Sequence, residues 1–134
     1  MTQLSIFCDG GARGNPGPAA IGFVVRDAAG KIIYQEGKAV GITTNNVAEY
    51  LAVIAALNWL KGQKLAASSV EFFLDAKLVV NQLNGLFKIK DTKLRELLFQ
   101  VRQLEREAGG KIFYQLISRR ENFLADRLVN QALA

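Results

Sequence analysis

Residues 43–62, TTNNVAEYLAVIAALNWLKG, constrain the fold more than any other stretch of this chain. Ala48, Leu51, Ala52, Ile54, Ala55, Ala56, Leu57 and Leu60 make the segment apolar on most sides, as in a helix buried within a core. Thr and Asn open it with capping chemistry, and Lys61-Gly62 closes it. Strand-like runs rich in Val, Ile and aromatic residues precede it at 4–8, 19–26 and 31–40. The short turn Asp27-Ala28-Ala29-Gly30 between the last two signals a hairpin. After the helix the pattern alternates. A strand is expected at 68–75 and a helix at 76–85. Leu94, Leu97, Leu98, Val101 and Leu104 then mark an amphipathic helix over 91–108, followed by a fifth strand at 109–118 and a last helix at 121–134. The chain therefore reads as one α/β domain over residues 1–134. Its sheet is mixed and five-stranded, three antiparallel strands then two parallel ones, flanked by helices.

With 134 residues, half of them hydrophobic, the chain is long enough to bury a core and too apolar to be disordered. No apolar run would span a bilayer. The N-terminal MTQLSIFCDGG lacks a basic stretch and cleavage site, which leads us to expect a cytoplasmic protein. The single cysteine, Cys8, lies in an apolar run and reads as a small buried hydrophobe; Trp59 likewise reads as core. The sequence contains no histidine, which removes Ser-His-Asp and Cys-His catalysis and nearly every common zinc site. Any catalysis must come from carboxylates, amides, lysines and a cation they bind, and oxygen donors favour magnesium or manganese. The net charge of +5 is confined to residues 86–120, where nine basic side chains face four acids, while the rest holds eight of each. A segment facing a polyanion would look like this, and so would a solvated helix face; charge alone leaves both open.

Four acids stand at element boundaries. Asp9 follows the first strand, Glu49 lies in the first turn of the apolar helix, and Asp75 follows the fourth strand. Asp126 lies near the start of the last helix, four residues after Asn122. Singly, each has an ordinary role. Asn46 and Glu49 fit a capping-box spacing, Asp75 suits an N-cap, and Asp126 would complement a helix dipole. Together they fit those roles poorly, because each interrupts apolar surroundings that need to pack. In open α/β sheets, sites form at the carboxyl ends of strands. Acids converging there repel one another unless cations bind between them.

DGGARGNPGPAAIGFVV, TTNNVAEYLAVIAAL, LDAKLVVNQLNG and ENFLADRLVNQAL occur in the order characteristic of type 1 ribonuclease H, which this chain resembles over nearly its whole length. The resemblance implies a ribonuclease H-like fold and an endonuclease that cuts the RNA strand of an RNA–DNA hybrid. Two magnesium or manganese ions would serve, and products would carry 5′-phosphate and 3′-hydroxyl ends. Asp9, Glu49, Asp75 and Asp126 match the family's metal-binding, catalytic carboxylates. Asp9 would bridge both ions, Glu49 and Asp75 would complete one site, and Asp126 would hold the ion that activates water. By the same resemblance the backbone of Gly10, Gly11 and Ala12 would lie against the RNA ribose, whose 2′-hydroxyl distinguishes RNA from DNA. Asn15, Thr44, Asn45 and Asn46 would contact the hybrid, with Asn15 and Thr44 near a DNA phosphate. Lys77, Lys88, Lys90 and Arg119 are further candidates for substrate contact.

Three departures from the family pattern stand out. The loop SRRENF has no histidine before the last Asp, leaving Arg119, Arg120 and Glu121 as candidates for its place. GLFKIKDTK is short and lacks the tryptophan of a basic handle. Asp75 is followed by Ala76 and Lys77 where Ser is usual. None removes a carboxylate. Competing readings are a non-catalytic nucleic-acid-binding domain on the same fold, a nuclease that also cuts double-stranded RNA, and a DNA-processing member of the wider superfamily. No exposed apolar stripe is evident in the sequence, so a monomer is expected.

Overall fold

A computed structural model of the chain describes residues 2–63 and 67–134. Its elements are β1 (Thr2–Ala12), β2 (Gly17–Arg26), β3 (Ile32–Thr43), α1 (Asn45–Gly62), β4 (Ala67–Leu74), α2 (Lys77–Leu83), α3 (Thr92–Ala108), β5 (Lys111–Leu116) and α4 (Phe123–Leu133). The strands form one sheet in the order β3-β2-β1-β4-β5. The β1–β2 and β2–β3 pairs are antiparallel, whereas β1–β4 and β4–β5 are parallel. This is the mixed sheet expected from the sequence, with β1 at its centre.

Alternation along the strands sorts the two faces. Leu4, Ile6 and Cys8 of β1, Ile21, Phe23 and Val25 of β2, and Val70, Phe72 and Leu74 of β4 all enter the core against α1. Tyr50, Phe23 and Phe72 are its largest fully buried side chains. Each such burial stabilises the fold by about 1.5–3 kcal/mol. The Tyr50 hydroxyl, sunk beside them, donates to Gln82 Oε1 at 2.7 Å and is thereby satisfied. α3 lays its Leu94, Leu97, Val101 and Leu104 stripe on the same body. Trp59 is half-buried and stacks on Tyr34 with ring centroids 5.1 Å apart.

α4 covers part of the opposite face, packing on β2, β3 and β1. Two glycines let it approach. A Cβ at Gly22 would come within 2.6 Å of the Ala125 carbonyl oxygen, and one at Gly37 within 2.9 Å of that of Leu128.

Several boundaries differ from the sequence expectation. β1 does not stop before Asp9; it runs through Asp9, Gly10 and Gly11 to Ala12, with Asp9 paired to Gly22. The glycines look like turn formers in sequence because packing against a second backbone leaves no local signature. β2 begins at Gly17 and β3 extends to Thr43. α2 is shorter than expected, spanning only Lys77–Leu83, and Gly85 beyond it takes a positive φ of 74°. Leu86, Phe87 and Phe99 are exposed around the α2–α3 connection, so an apolar patch does reach the surface.

Candidate active site

Just past the point where β1 and β4 stop pairing, two acids stand side by side. Asp9 lies on the face of β1 that α4 covers, as does Gly11, where a Cβ would lie 3.7 Å from Val129 of α4. Asp75 follows β4 directly. It does not cap the next helix: Ala76 is the N-cap residue of α2, with no side-chain cap bond. Its carboxylate is left for the cleft.

Glu49 comes from α1, and the capping-box reading of Asn46 and Glu49 fails for a stated reason. Thr44 is the N-cap residue, its Oγ1 accepting from the Val47 amide at 3.2 Å, so Glu49 lies beyond the first turn and is not needed there. Glu49 Oε1 instead accepts from the Gly10 amide at 2.8 Å. That contact requires α1 to pass very close to β1, and a Cβ on Gly10 would collide with the Ala48 backbone. Gly10 thus does two things: it admits the helix and it holds the carboxylate next to Asp9.

Asp9, Glu49 and Asp75 each present an oxygen within 4.8 Å of the others. Asp126, from the first turn of α4, lies outside that trio but near enough to Asp9 for its charge to be felt there. Asp126 also accepts from Asn130 Nδ2 at 3.2 Å. Burial raises the Asp9 carboxyl from 3.8 to about 7, with further contributions from the charges of Asp75 and Asp126; the adjacent Glu49 carboxyl opposes them. Burial and the adjacent Asp9 also push Glu49 well above the usual carboxylate range. Glu49 Oε2 is buried without a hydrogen-bond partner. An all-oxygen donor set, a surplus of negative charge and an orphaned carboxylate oxygen fit a hard divalent cation.

A cleft of about 400 Å³ opens over these groups, lined also by Gly10, Gly11, Ala12, Arg13, Asn45, Asn46, Arg119 and Asn130. Of the other substrate candidates, Asn15, Thr44, Lys77, Lys88 and Lys90 do not line it. Asn15 ties the loop after β1 to α1, its Oδ1 accepting from the Asn45 amide at 2.9 Å, while Asn45 Oδ1 accepts from the Ala12 amide at 2.8 Å. Lys88 and Lys90 sit on the exposed α2–α3 connection. In the loop before α4, Glu121 Oε1 accepts from both the amide and the hydroxyl of Ser118, so Glu121 is engaged in shaping the loop while Arg119 reaches the cleft.

Two groups of the site escaped the sequence reading. Arg13 lines the cleft and donates to the Leu133 carbonyl at 3.1 Å, joining the β1–β2 loop to the end of α4. Asn122, four residues before Asp126, is buried with only 1% exposure. Its position relative to Asp126 was visible, but an asparagine beside a helix start reads first as a cap. A larger cavity of about 530 Å³ lies away from the acids, between α2, α3 and β5. There Arg102, Glu105 and Tyr114 satisfy one another and the Leu83 carbonyl.

A family model described as reverse transcriptase-like matches residues 7–132. A bifunctional protein of Mycobacterium tuberculosis is 43% identical over 132 residues, which is 98% of this chain and 35% of that protein. The chain thus spans about a third of the length of that relative. The crystal structure of RNase H1 from Halobacterium salinarum superposes with a TM-score of 0.92 at 36% identity, over 98% of this chain and 97% of that one. LC11-RNase H1, isolated from compost, was solved in complex with an RNA/DNA hybrid; it matches with a TM-score of 0.92 at 41% identity, over 96% and 95% of the two chains. The order of motifs, the sheet topology and these matches agree, and the chain belongs to the type 1 ribonuclease H family.

Proposed function

We propose that this protein is a metal-dependent endonuclease that hydrolyses the RNA strand of RNA–DNA hybrids through Asp9, Glu49, Asp75 and Asp126. The observation that carries this reading is the meeting of Asp9, Glu49 and Asp75 oxygens within 4.8 Å at the floor of an open cleft. Two magnesium or manganese ions held there would supply charge neutralisation, an activated water and stabilisation of the leaving oxygen. The residues do the rest. Asp9, which neighbours Glu49, Asp75 and Asp126, would lend its carboxylate to the ions. Glu49 is oriented by the Gly10 amide, and Asp75 offers its carboxylate from the end of β4. Asp126 supplies the fourth acid from the far side, and cleavage would leave 5′-phosphate and 3′-hydroxyl ends.

Substrate would lie over the exposed rim. Gly11, Ala12, Asn45 and Asn46 line that rim and present small or uncharged polar groups suited to ribose and phosphate. Arg119 places a positive charge beside the acids, where the family's loop histidine is missing. Asn15, in the loop after β1, and Thr44, the N-cap of α1, would contact the hybrid beside this rim, and Lys77, Lys88 and Lys90 would contact it outside the cleft. We read residues 1–134 as one domain that acts as a cytoplasmic monomer, although the exposed Leu86, Phe87 and Phe99 remove the sequence argument for a monomer.

The test is cleavage of an end-labelled RNA–DNA hybrid with and without magnesium or manganese, beside Asp9→Asn and Asp75→Asn. Duplex DNA and duplex RNA of the same sequence serve as controls. Metal-dependent cutting of the RNA strand, lost in both variants, is the expected result. Cutting of duplex RNA as well would widen the substrate class. Tight binding with no cleavage under either metal would leave a hybrid-binding domain and sink the nuclease.

A further inference from the structure

We infer that Asn122 is a positioning residue of the carboxylate site, setting Asp75 and the Cys8–Asp9 peptide of β1 relative to α4 so that metal ligands from three elements hold their spacing. This rests on the reading of the cleft as a divalent-metal site. Asn122 occupies the N-cap position of α4, yet its side chain caps nothing; its φ of −99° and ψ of 23° lie outside the extended conformation usual for a cap. Its amide turns inward instead. Nδ2 donates to the Cys8 carbonyl at 2.8 Å and lies 3.5 Å from Asp75 Oδ2. Cys8 is the residue immediately before Asp9, so this bond fixes the peptide that carries it. The Asn122 carbonyl accepts the Asp126 amide at 3.1 Å. One residue therefore touches the backbone or side chain serving three of the four acids, while Gly10 serves the fourth.

The amide is costly where it stands. Asn122 Oδ1 is buried and has no hydrogen-bond partner, and the helix forgoes a side-chain cap. A buried polar group satisfied on one side only calls for a reason beyond stability. The donor half supplies one: an N–H directed at Asp75 Oδ2 restrains that carboxylate and leaves its other oxygen available to a cation. Hydrogen-bond partners of metal ligands characteristically hold them in this way, and their loss weakens metal affinity about 10- to 100-fold.

The decisive comparison is Mn²⁺ binding by calorimetry to the wild type and to Asn122→Leu, a variant of similar volume with no donor, alongside unfolding in chelator. The expected result is a Kd weakened about 10- to 100-fold in the variant. A variant that is destabilised but binds Mn²⁺ as tightly as the wild type would show a structural role only and overturn the inference. Failure of the wild type itself to bind would remove the metal-site reading on which it depends. If the variant does not fold, the wild type decides by NMR. Slow solvent exchange of the Asn122 Nδ2 protons, with resonances that move as Mg²⁺ is added, supports the clamp. Fast exchange, or no response to Mg²⁺, overturns it.

Discussion

Replacing Asp9 with Asn should abolish cleavage and, at the same time, make the metal-free protein more stable. In the folded chain the Asp9 carboxyl is raised from 3.8 to about 7, chiefly by burial. At about 1.4 kcal/mol per pH unit, that shift is a native-state penalty of about 4 kcal/mol once Asp9 is ionised. The direction follows from proton binding. The folded state holds the proton more tightly than the unfolded chain, so the favourable contribution is complete below the unfolded value and is lost as pH rises through about 7. Asn keeps the shape of the side chain without the charge. Because the substitution also changes the contact with the adjacent Glu49 carboxyl, the expected gain at pH 8 is about 2–4 kcal/mol, or about 7–14 °C in Tm for a chain of this length. Near pH 4 the gain should shrink below about 1 kcal/mol, because Asp9 is then protonated in the folded state and only partly ionised in the unfolded one. Scanning calorimetry in chelator at the two pH values measures both. An unchanged or lower Tm at pH 8 would refute the reasoning, as would a gain of equal size at pH 4.

Gly10→Ala should destabilise the fold by more than about 3 kcal/mol in urea unfolding, since the new methyl meets α1 backbone with no flexible side chain to yield; a cost under about 1 kcal/mol would mean that the two backbones separate easily. Glu105→Ala strips partners from Arg102 and Tyr114, and should cost about 2–3 kcal/mol with hybrid cleavage at 25 °C unchanged. Lys88→Ala and Lys90→Ala should each reduce the salt dependence of hybrid binding by about one unit of log–log slope, leaving cleavage of saturating hybrid intact. An unaltered slope would place these lysines off the nucleic acid.

The fold was readable where burial imposes a period. The Leu94–Leu104 stripe carries its structure in side-chain spacing, the first helix in its all-round apolar content and caps, and the hairpin in its turn. Asp9, Glu49, Asp75 and Asp126 stood out because charge sits where packing asks for none. What escaped were contacts between distant backbones. Gly10, Gly22 and Gly37 are small because a helix lies against each, and neither Asp9's place inside a strand nor the grip of Gly10 on Glu49 can be inferred from neighbours in sequence. Asn122 was missed for the opposite reason, since its local context offers a cap and its actual partners are 47 and 114 residues away.

The glycine-cleared seat of α4 against the sheet also sets an order of events. Asp9, Glu49 and Asp75 belong to the first 75 residues and can meet as soon as β1, α1 and β4 have folded together, whereas Asp126 and Asn122 come more than 40 residues later. During synthesis, a chain emerging from the ribosome would hold an incomplete set of acids until α4 docked over Gly22 and Gly37. If the four acids act together, the site would gain its full set of carboxylates only when α4 closes over the sheet.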